Sequence, residues 1–322
     1  MKKNIVIYIA LILGAFFSSC RKDKVPFIAQ ENIADTCDCQ PIPTIEGYST
    51  GYNHIHDSIY LSFPRFNPNN NDEIMFAEWG ENGQRILYKY NLITKSKSTI
   101  FEGTIFGTPE WGKSDWIIFT RGYNGLYRVR PDGSELSLLV SGGTQFHPKF
   151  NDEGDKFITY HGFTTNGFYP GKVWSIEGDL LDSINIDWSG LSVWQKQNNI
   201  ACRVNETFLI VDPISKEVLK THDPYFGTNT MIYNFVWLNE DEALISLLDG
   251  VYKLQVWTGQ LEKLACGCSS QRYYYGNANS DGTKVIYSKL SYKKMEGLDL
   301  LVTSSIVIFD IENRSFEEVE IE

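Results

Sequence analysis

Six copies of one unit, two markers that stay in step through all six, and no sustained helical period predict an all-β chain, folded as a six-bladed β-propeller of four-stranded blades. The first marker is an aromatic residue: Phe66, Trp111, Phe150, Trp194 and Trp237, replaced by Asn279 in the last copy. Successive spacings of 45, 39, 44, 43 and 42 residues fit a four-stranded blade and exceed a TPR or ankyrin unit. The second marker is a bulky strand residue three places before a turn residue: Tyr88 and Asn91, Tyr127 and Arg130, Trp174 and Glu177, Leu209 and Asp212, Tyr252 and Gln255, Val307 and Asp310. One small twisted sheet cannot bury both of its faces, so the blades stack around an axis and the ring closes.

The second copy is the cleanest. Pro109 and Trp111 lead into an apolar strand over 116–120, a Gly-containing turn gives a strand over 126–130, and Pro131-Asp132-Gly133 returns the chain into a strand over 136–140. The strand after the aromatic recurs at 73–77, 157–160, 200–203, 243–246 and 284–288. The strand after the turn recurs at 98–101, 180–184, 217–221, 261–265 and 316–321. In the last of these, Phe316, Val319 and Ile321 are separated by glutamates, the pattern of an edge strand with one solvated face. Connections at 162–170 and 292–301 are longer than the others, and long loops on a rigid scaffold are where recognition concentrates.

Lys2 and Lys3 precede an apolar run over 5–17, too short for the roughly 20 residues that span a bilayer, so a secretory signal is expected. Phe17-Ser18-Ser19-Cys20 resembles a bacterial lipobox. The resemblance implies removal of residues 1–19, lipid modification of Cys20, and attachment of the chain to a membrane of the bacterial cell envelope. Arg21 rather than Asp after the cysteine points, by analogy, to the outer membrane. Residues 20–48 are polar, contain Pro26, Pro41 and Pro43, and read as a tether, which leaves 49–322 for the propeller. The formal charge of −11 becomes −13 once Lys2 and Lys3 leave with the signal, which argues against nucleic acid as a partner.

At Pro64-Arg65-Phe66-Asn67-Pro68-Asn69, at Pro109-Glu110-Trp111 with Pro131-Asp132-Gly133-Ser134, at Pro148-Lys149-Phe150-Asn151-Asp152-Glu153-Gly154 and at Asn279-Ser280-Asp281-Gly282, the chain resembles the TolB-type, WD40-like (PD40) propeller repeat. The resemblance covers about residues 60–322, strongest in the first three units, and implies six blades. It implies little about task, because propellers of this kind serve the Tol system, peptidases and surface lipoproteins alike. Only about 40 residues separate Cys20 from the first unit, too few for the separate N-terminal domain of the Tol protein.

Candidate sites are sparse. Cys37 with Cys39 and Cys266 with Cys268 form two Cys-x-Cys pairs, which suit disulfides fastening the tether to the fifth or sixth blade, a four-thiolate zinc site, or free thiols. Cys202 sits in an apolar strand and reads as a buried, inert thiol. His54 and His56 share a side if extended, as metal ligands or as an ordinary first strand. His147 and His161 flank a strand of the third unit and are candidates for one mouth of the channel, with turn solvation as the alternative. Tyr273-Tyr274-Tyr275 offers a stacking surface for sugar or peptide, or packing between blades. No nucleophile elbow, metalloprotease helix, P-loop or dinucleotide fingerprint occurs, so neither a cofactor nor a catalytic set is expected. The expected function is a membrane-anchored, non-enzymatic scaffold that binds a protein or glycan of the envelope; the alternative is a carbohydrate lyase or hydrolase at the channel mouth.

Overall fold

The computed structural model describes residues 53–56, 60–80, 85–122, 124–142, 145–161, 171–184, 192–194, 199–204, 207–223, 232, 234–247, 249–268, 270–294 and 299–321. The signal, Cys20, the tether with Cys37 and Cys39, and the connection 162–170 lie outside these residues. A short first strand, β1 (Asn53–His56), precedes the blades. Blade 1 is β2 (Tyr60–Asn67), β3 (Asn70–Trp79), β4 (Arg85–Asn91) and β5 (Lys97–Gly103). Blade 2 is β6 (Ile105–Trp111), β7 (Ile117–Arg121), β8 (Gly125–Val129) and β9 (Ser137–Ser141). Blade 3 is β10 (Gln145–Phe150), β11 (Lys156–His161), β12 (Gly171–Ser175) and β13 (Leu180–Ile184). Blade 4 is β14 (Ser192–Trp194), β15 (Ile200–Val204), β16 (Thr207–Val211) and β17 (Val218–His222). Blade 5 is β18 (Asn234–Trp237), β19 (Glu242–Leu247), β20 (Gly250–Gln255) and β21 (Gln260–Cys266). Blade 6 is β22 (Gln271–Ala278), β23 (Lys284–Lys294), β24 (Asp299–Asp310) and β25 (Ser315–Glu318).

The four strands of each blade form an antiparallel meander in chain order, and the first strand of every blade lines the axis. The inner strands β2, β6, β10, β14, β18 and β22 touch one another in sequence, and β22 touches β2, so the ring is closed. The Pro-x-aromatic segment therefore ends the inner strand, whereas the sequence reading placed it ahead of the first strand. Proline has no N–H for a ladder, but an inner strand is a sheet edge and tolerates Pro64, Pro109 and Pro148.

The core consists of the gaps between blades. Met75, Leu87 and Phe101 of blade 1 pack on Trp111, Ile117 and Phe119 of blade 2. Ile118 and Trp116 meet Phe157 and Trp174 of blade 3, and Ile158 and Val173 meet Ile200 and Cys202 of blade 4. Phe208 and Ile210 face Phe235 and Ile245 of blade 5. Val236 and Leu244 face Val285, Tyr287 and Phe309 of blade 6, which in turn presents Ile286 and Ile306 to Phe66, Ile74 and Phe76. Each strand alternates its side chains between two gaps, as a period of two requires. Cys202 is a free buried thiol whose pKa is pushed up to about 12 by burial.

Blade 6 closes the ring differently. β25 pairs antiparallel with β24 along 307–310, and β1 pairs parallel with the other part of the same strand, Asn53 opposite Asp299 through His56 opposite Val302. The segment holding His54 and His56 is thus an ordinary strand. The connection expected over 292–301 is mostly ladder: β23 and β24 stay paired as far as Lys294 opposite Leu300. Leu290, Tyr292 and Val302 are buried there, with Tyr60 and Tyr274 packed against them, and this apolar patch carries the extension.

Candidate functional site

The site begins as an irregularity repeated in four inner strands. Pairing with the next strand shifts between Ser62 and Arg65, Phe106 and Glu110, Phe146 and Lys149, and Tyr274 and Asn277. Each shift holds a residue in the left-handed region: Phe63 (φ 56°), Gly107 (φ 68°), His147 (φ 55°) and Tyr275 (φ 57°). For Phe, His and Tyr this conformation is costly, and such bulges re-aim the side chains that follow. Gly107 also has no room for a side chain, because a Cβ there would come within 3.1 Å of the His147 backbone nitrogen.

The residues re-aimed in blades 1, 2 and 3 are Arg65, Glu110 and Lys149, each just before the aromatic marker. Arg65 Nε donates to Glu110 Oε2 at 2.8 Å and Lys149 Nζ donates to the same oxygen at 2.7 Å. Their side chains are only 3%, 13% and 14% exposed. Arg65 Nη1 also donates to the carbonyls of Pro64 at 2.8 Å and Tyr275 at 2.6 Å, the latter tying blade 1 to its neighbour blade 6. Phe66 N donates to Asn277 Oδ1 at 2.9 Å across the same junction.

Two cations share one carboxylate in a nearly dry place, and their ionisation reflects it. Burial works to raise the Glu110 carboxyl, but Lys149 and Arg65 outweigh it and its pKa falls below the usual range. Burial, reinforced by Arg65 and only partly offset by Glu110, brings Lys149 down to about 8. Burial and the same two cations take His147 down to about 4, so its ring is neutral; Nδ1 lies 3.0 Å from Thr108 Oγ1. Near neutral pH this centre carries one excess positive charge.

Beside it is a cavity of about 170 Å³ lined by inner-strand ends of blades 1, 2, 3, 5 and 6, among them Phe66, Trp111, Lys149, Trp237, Gly276 and Asn277. The cavity opens on the face where the first strand of each blade turns into the second. Those turns are fixed by asparagines: Asn151, Asn239 and Asn279 each accept, through Oδ1, the backbone N–H of Lys156, Glu242 and Lys284. Lys113 pairs with Asp152 at 2.9 Å on the rim. Gly276 is required on the wall, since a side chain there would collide with Asn234, Tyr287 and Val236. Asn234 Nδ2, packed against it, is buried without an acceptor.

At the opposite mouth a second cationic group is stacked among aromatics. The Arg85 guanidinium lies 3.6 Å from the centre of the Trp79 ring, and burial lowers its pKa to about 10. Tyr60 meets Trp79 edge-on at 5.4 Å.

His147 lies within β10 on the channel wall, and His161 ends β11 opposite Gln145. Tyr273 is 6% exposed and stacked on Phe316 at 4.6 Å, inside the gap between blades 5 and 6. Tyr274, on the other face of β22, is half-buried and its hydroxyl accepts from Arg272 Nη1 at 3.2 Å. Cys266 and Cys268 are both disulfide-bonded. Among the described residues, no group of three or more His, Cys, Asp and Glu gathers as a metal-ligand set. Arg65, Glu110 and Lys149 were missed by the sequence reading. Their signal was the middle residue of Pro-x-aromatic, charged with alternating sign in the first three copies.

The fold and site together define a six-bladed β-propeller with a polar centre. No family model matches the chain, and no curated protein does. Solved structures share the architecture at low identity. An oligogalacturonate lyase from Vibrio parahaemolyticus is 12% identical over 80% of this chain and 77% of its own, with a TM-score of 0.52. The propeller domain of the Trilobed protease from Pyrococcus furiosus, titled as having an open velcro topology, is 12% identical over 81% and 84%, also at 0.52. TolB from Acinetobacter baumannii is 12% identical over 80% of this chain and 54% of its own, at 0.40. At these identities the likeness is one of fold.

Proposed function

We propose that the protein is a lipoprotein of the bacterial envelope, anchored through Cys20, whose propeller acts as a non-enzymatic binding scaffold for an envelope protein or glycan. The observation that carries this reading is the direction in which the cavity opens. β24 runs parallel to β22, so Asn53, opposite Asp299, lies at the end of blade 6 remote from the cavity. Cys266 and Cys268, at the end of β21, lie on that same remote face. A chain held at its N-terminus thus presents the cavity outward. The committed charges support binding over acid–base work: Glu110 is held ionised by two cations and His147 is held neutral.

A second reading, a carbohydrate lyase or hydrolase, is favoured by one observation. Lys149 at about 8 is close to the working range of a general base. The test is a cross-linked pull-down from detergent-solubilised envelopes, comparing the native protein with a Cys20→Ala form, together with the mass of the mature N-terminus. A lipidated Cys20 and a partner recovered only with the anchored form are the expected results. An unlipidated N-terminus, or equal recovery by both forms, would overturn the anchored scaffold.

A further inference from the structure

We infer that the cavity is a receptor for a small organic monoanion, whose carboxylate is held by Lys149 at the channel centre, with the charge of Arg65 behind it. The inference rests on the binding reading of the channel and names the ligand class.

Its first support is a charge count made locally. Arg65 and Lys149 carry two positive charges, Glu110 one negative charge, and Lys113 and Asp152 on the rim cancel. A buried charge left without a counter-ion is expensive, and a carboxylate in the cavity would supply the missing one. The surplus is notable in a chain whose formal charge is −11.

The second support is unused hydrogen-bonding capacity. Lys149 Nζ, on the cavity wall, has three donors and among the described residues makes one bond, to Glu110. A carboxylate would accept from the donors left over, and charge-assisted bonds of this kind are the strong ones.

The third support is size and lining. A space of about 170 Å³ is comparable to cavities of about 150 Å³ that take up benzene, so it admits a single six-membered ring with its carboxylate. The edges of Trp111, Trp237, Phe66 and Phe150 provide apolar contact. The asparagines of the rim are mostly spent on their own turns, so the charge, not a polar network, selects the ligand.

The shared chemistry is a carboxylate on a ring-sized body, and such a group comes either from an acidic sugar or from an apolar acid. Calorimetric titration of the Cys20→Ala protein with glucuronate, benzoate and glucose separates these sources. At least one acid is expected to bind, with glucose at least tenfold weaker. Lys149→Met should weaken the acid tenfold or more, and Lys149→Arg should restore it to within a fewfold. Preference for glucuronate assigns the acidic sugar, and preference for benzoate the apolar acid.

The native protein supplies a check that needs no variant. Lys149 loses its charge as pH rises through about 8, while Arg65 stays cationic, Glu110 stays anionic and His147 stays neutral, so affinity for the acid should fall above that pH. Acids that bind no better than glucose, an affinity flat from pH 7 to 9, or a Lys149→Met protein that folds and binds as the native one does would each overturn the proposal. The pull-down described above reads a different property. A partner recovered by the anchored form with no acid bound in titration would leave the scaffold standing and remove only this inference.

Discussion

Blade 2 and blade 5 come from the same repeat and treat the channel in opposite ways. In blade 5 the inner strand Asn234–Trp237 pairs with its neighbour without a shift, all four residues are buried, and Val236 stands before the marker Trp237. In blade 2 the pairing shifts between Phe106 and Glu110, and a buried carboxylate stands before the marker Trp111. The packing of both blades is otherwise alike, aromatic against aliphatic across each gap. The repeat therefore builds the ring, and one position per repeat, re-aimed by a bulge, decides what the ring encloses.

The largest expected effect separates the two blades by remedy. Glu110→Ala strands two buried cations and should cost about 3–5 kcal/mol in denaturant unfolding, whereas the triple change Arg65→Met, Glu110→Leu, Lys149→Met should be neutral or stabilising by up to about 4 kcal/mol. Phe235→Ala in blade 5, which removes contacts with Phe208 and Trp237, should cost a similar ~3–5 kcal/mol through a cavity. No change of charge should restore it. If the triple variant unfolds as readily as Glu110→Ala, the charged centre is structural and the contrast between the blades fails.

Acid should reveal the next effect. His147 and His222 are each lowered from 6.5 to about 4, chiefly by burial, and His222 Nε2 lies 2.6 Å from the Val256 carbonyl. The unfolded chain binds protons that the folded one refuses, so stability present above about pH 6.5 is lost as pH falls toward 4, by up to about 3 kcal/mol for each group. Melting curves between pH 7 and 4 should show this decline, with His222→Gln and His147→Asn each removing part of it; a decline unchanged in both variants would assign it elsewhere.

The disulfides come third. With Cys202 free, peptide mapping under non-reducing conditions is expected to join Cys266 and Cys268 to Cys37 and Cys39, and reduction should cost about 2–4 kcal/mol. A bond between Cys266 and Cys268 themselves would contradict the tether pairing. Smallest is Lys113→Ala: it breaks a rim pair whose members are 41% and 30% exposed and should change stability by less than about 1 kcal/mol.

The architecture was legible because it depends on features that recur. An aromatic at the end of the inner strand recurs in five copies and a turn residue after the third strand in all six, so local ambiguity averages out. The strand over 180–184 was even placed at its true bounds. The site was not legible, because it depends on features that occur once. Arg65, Glu110 and Lys149 are 45 and 39 residues apart, and only the stacking of blades 1, 2 and 3 brings the two cations within 3 Å of Glu110. The bulges hid them further: the one extra residue before Arg65 and before Lys149 breaks the two-residue alternation by which strands are recognised, and Pro64, Pro109 and Pro148 look like loop residues. The run of three tyrosines was open to two readings, stacking surface or packing between blades, and alternation sends its first member, Tyr273, inward against Phe316.

The pairing of β1 with β24 also decides how the ring answers a pull. Tension arriving at Asn53 acts along the strand axis, so the four pairs from Asn53–Asp299 to His56–Val302 are sheared together instead of being peeled one at a time. Shear distributes a load over every hydrogen bond in the ladder, and the last blade receives it beside the extended β23–β24 hairpin, where Tyr60 and Tyr292 are packed. A pull on the leading end would thus load the closing seam of the ring, while the cavity, at the other end of the inner strands, lies away from that point of attachment.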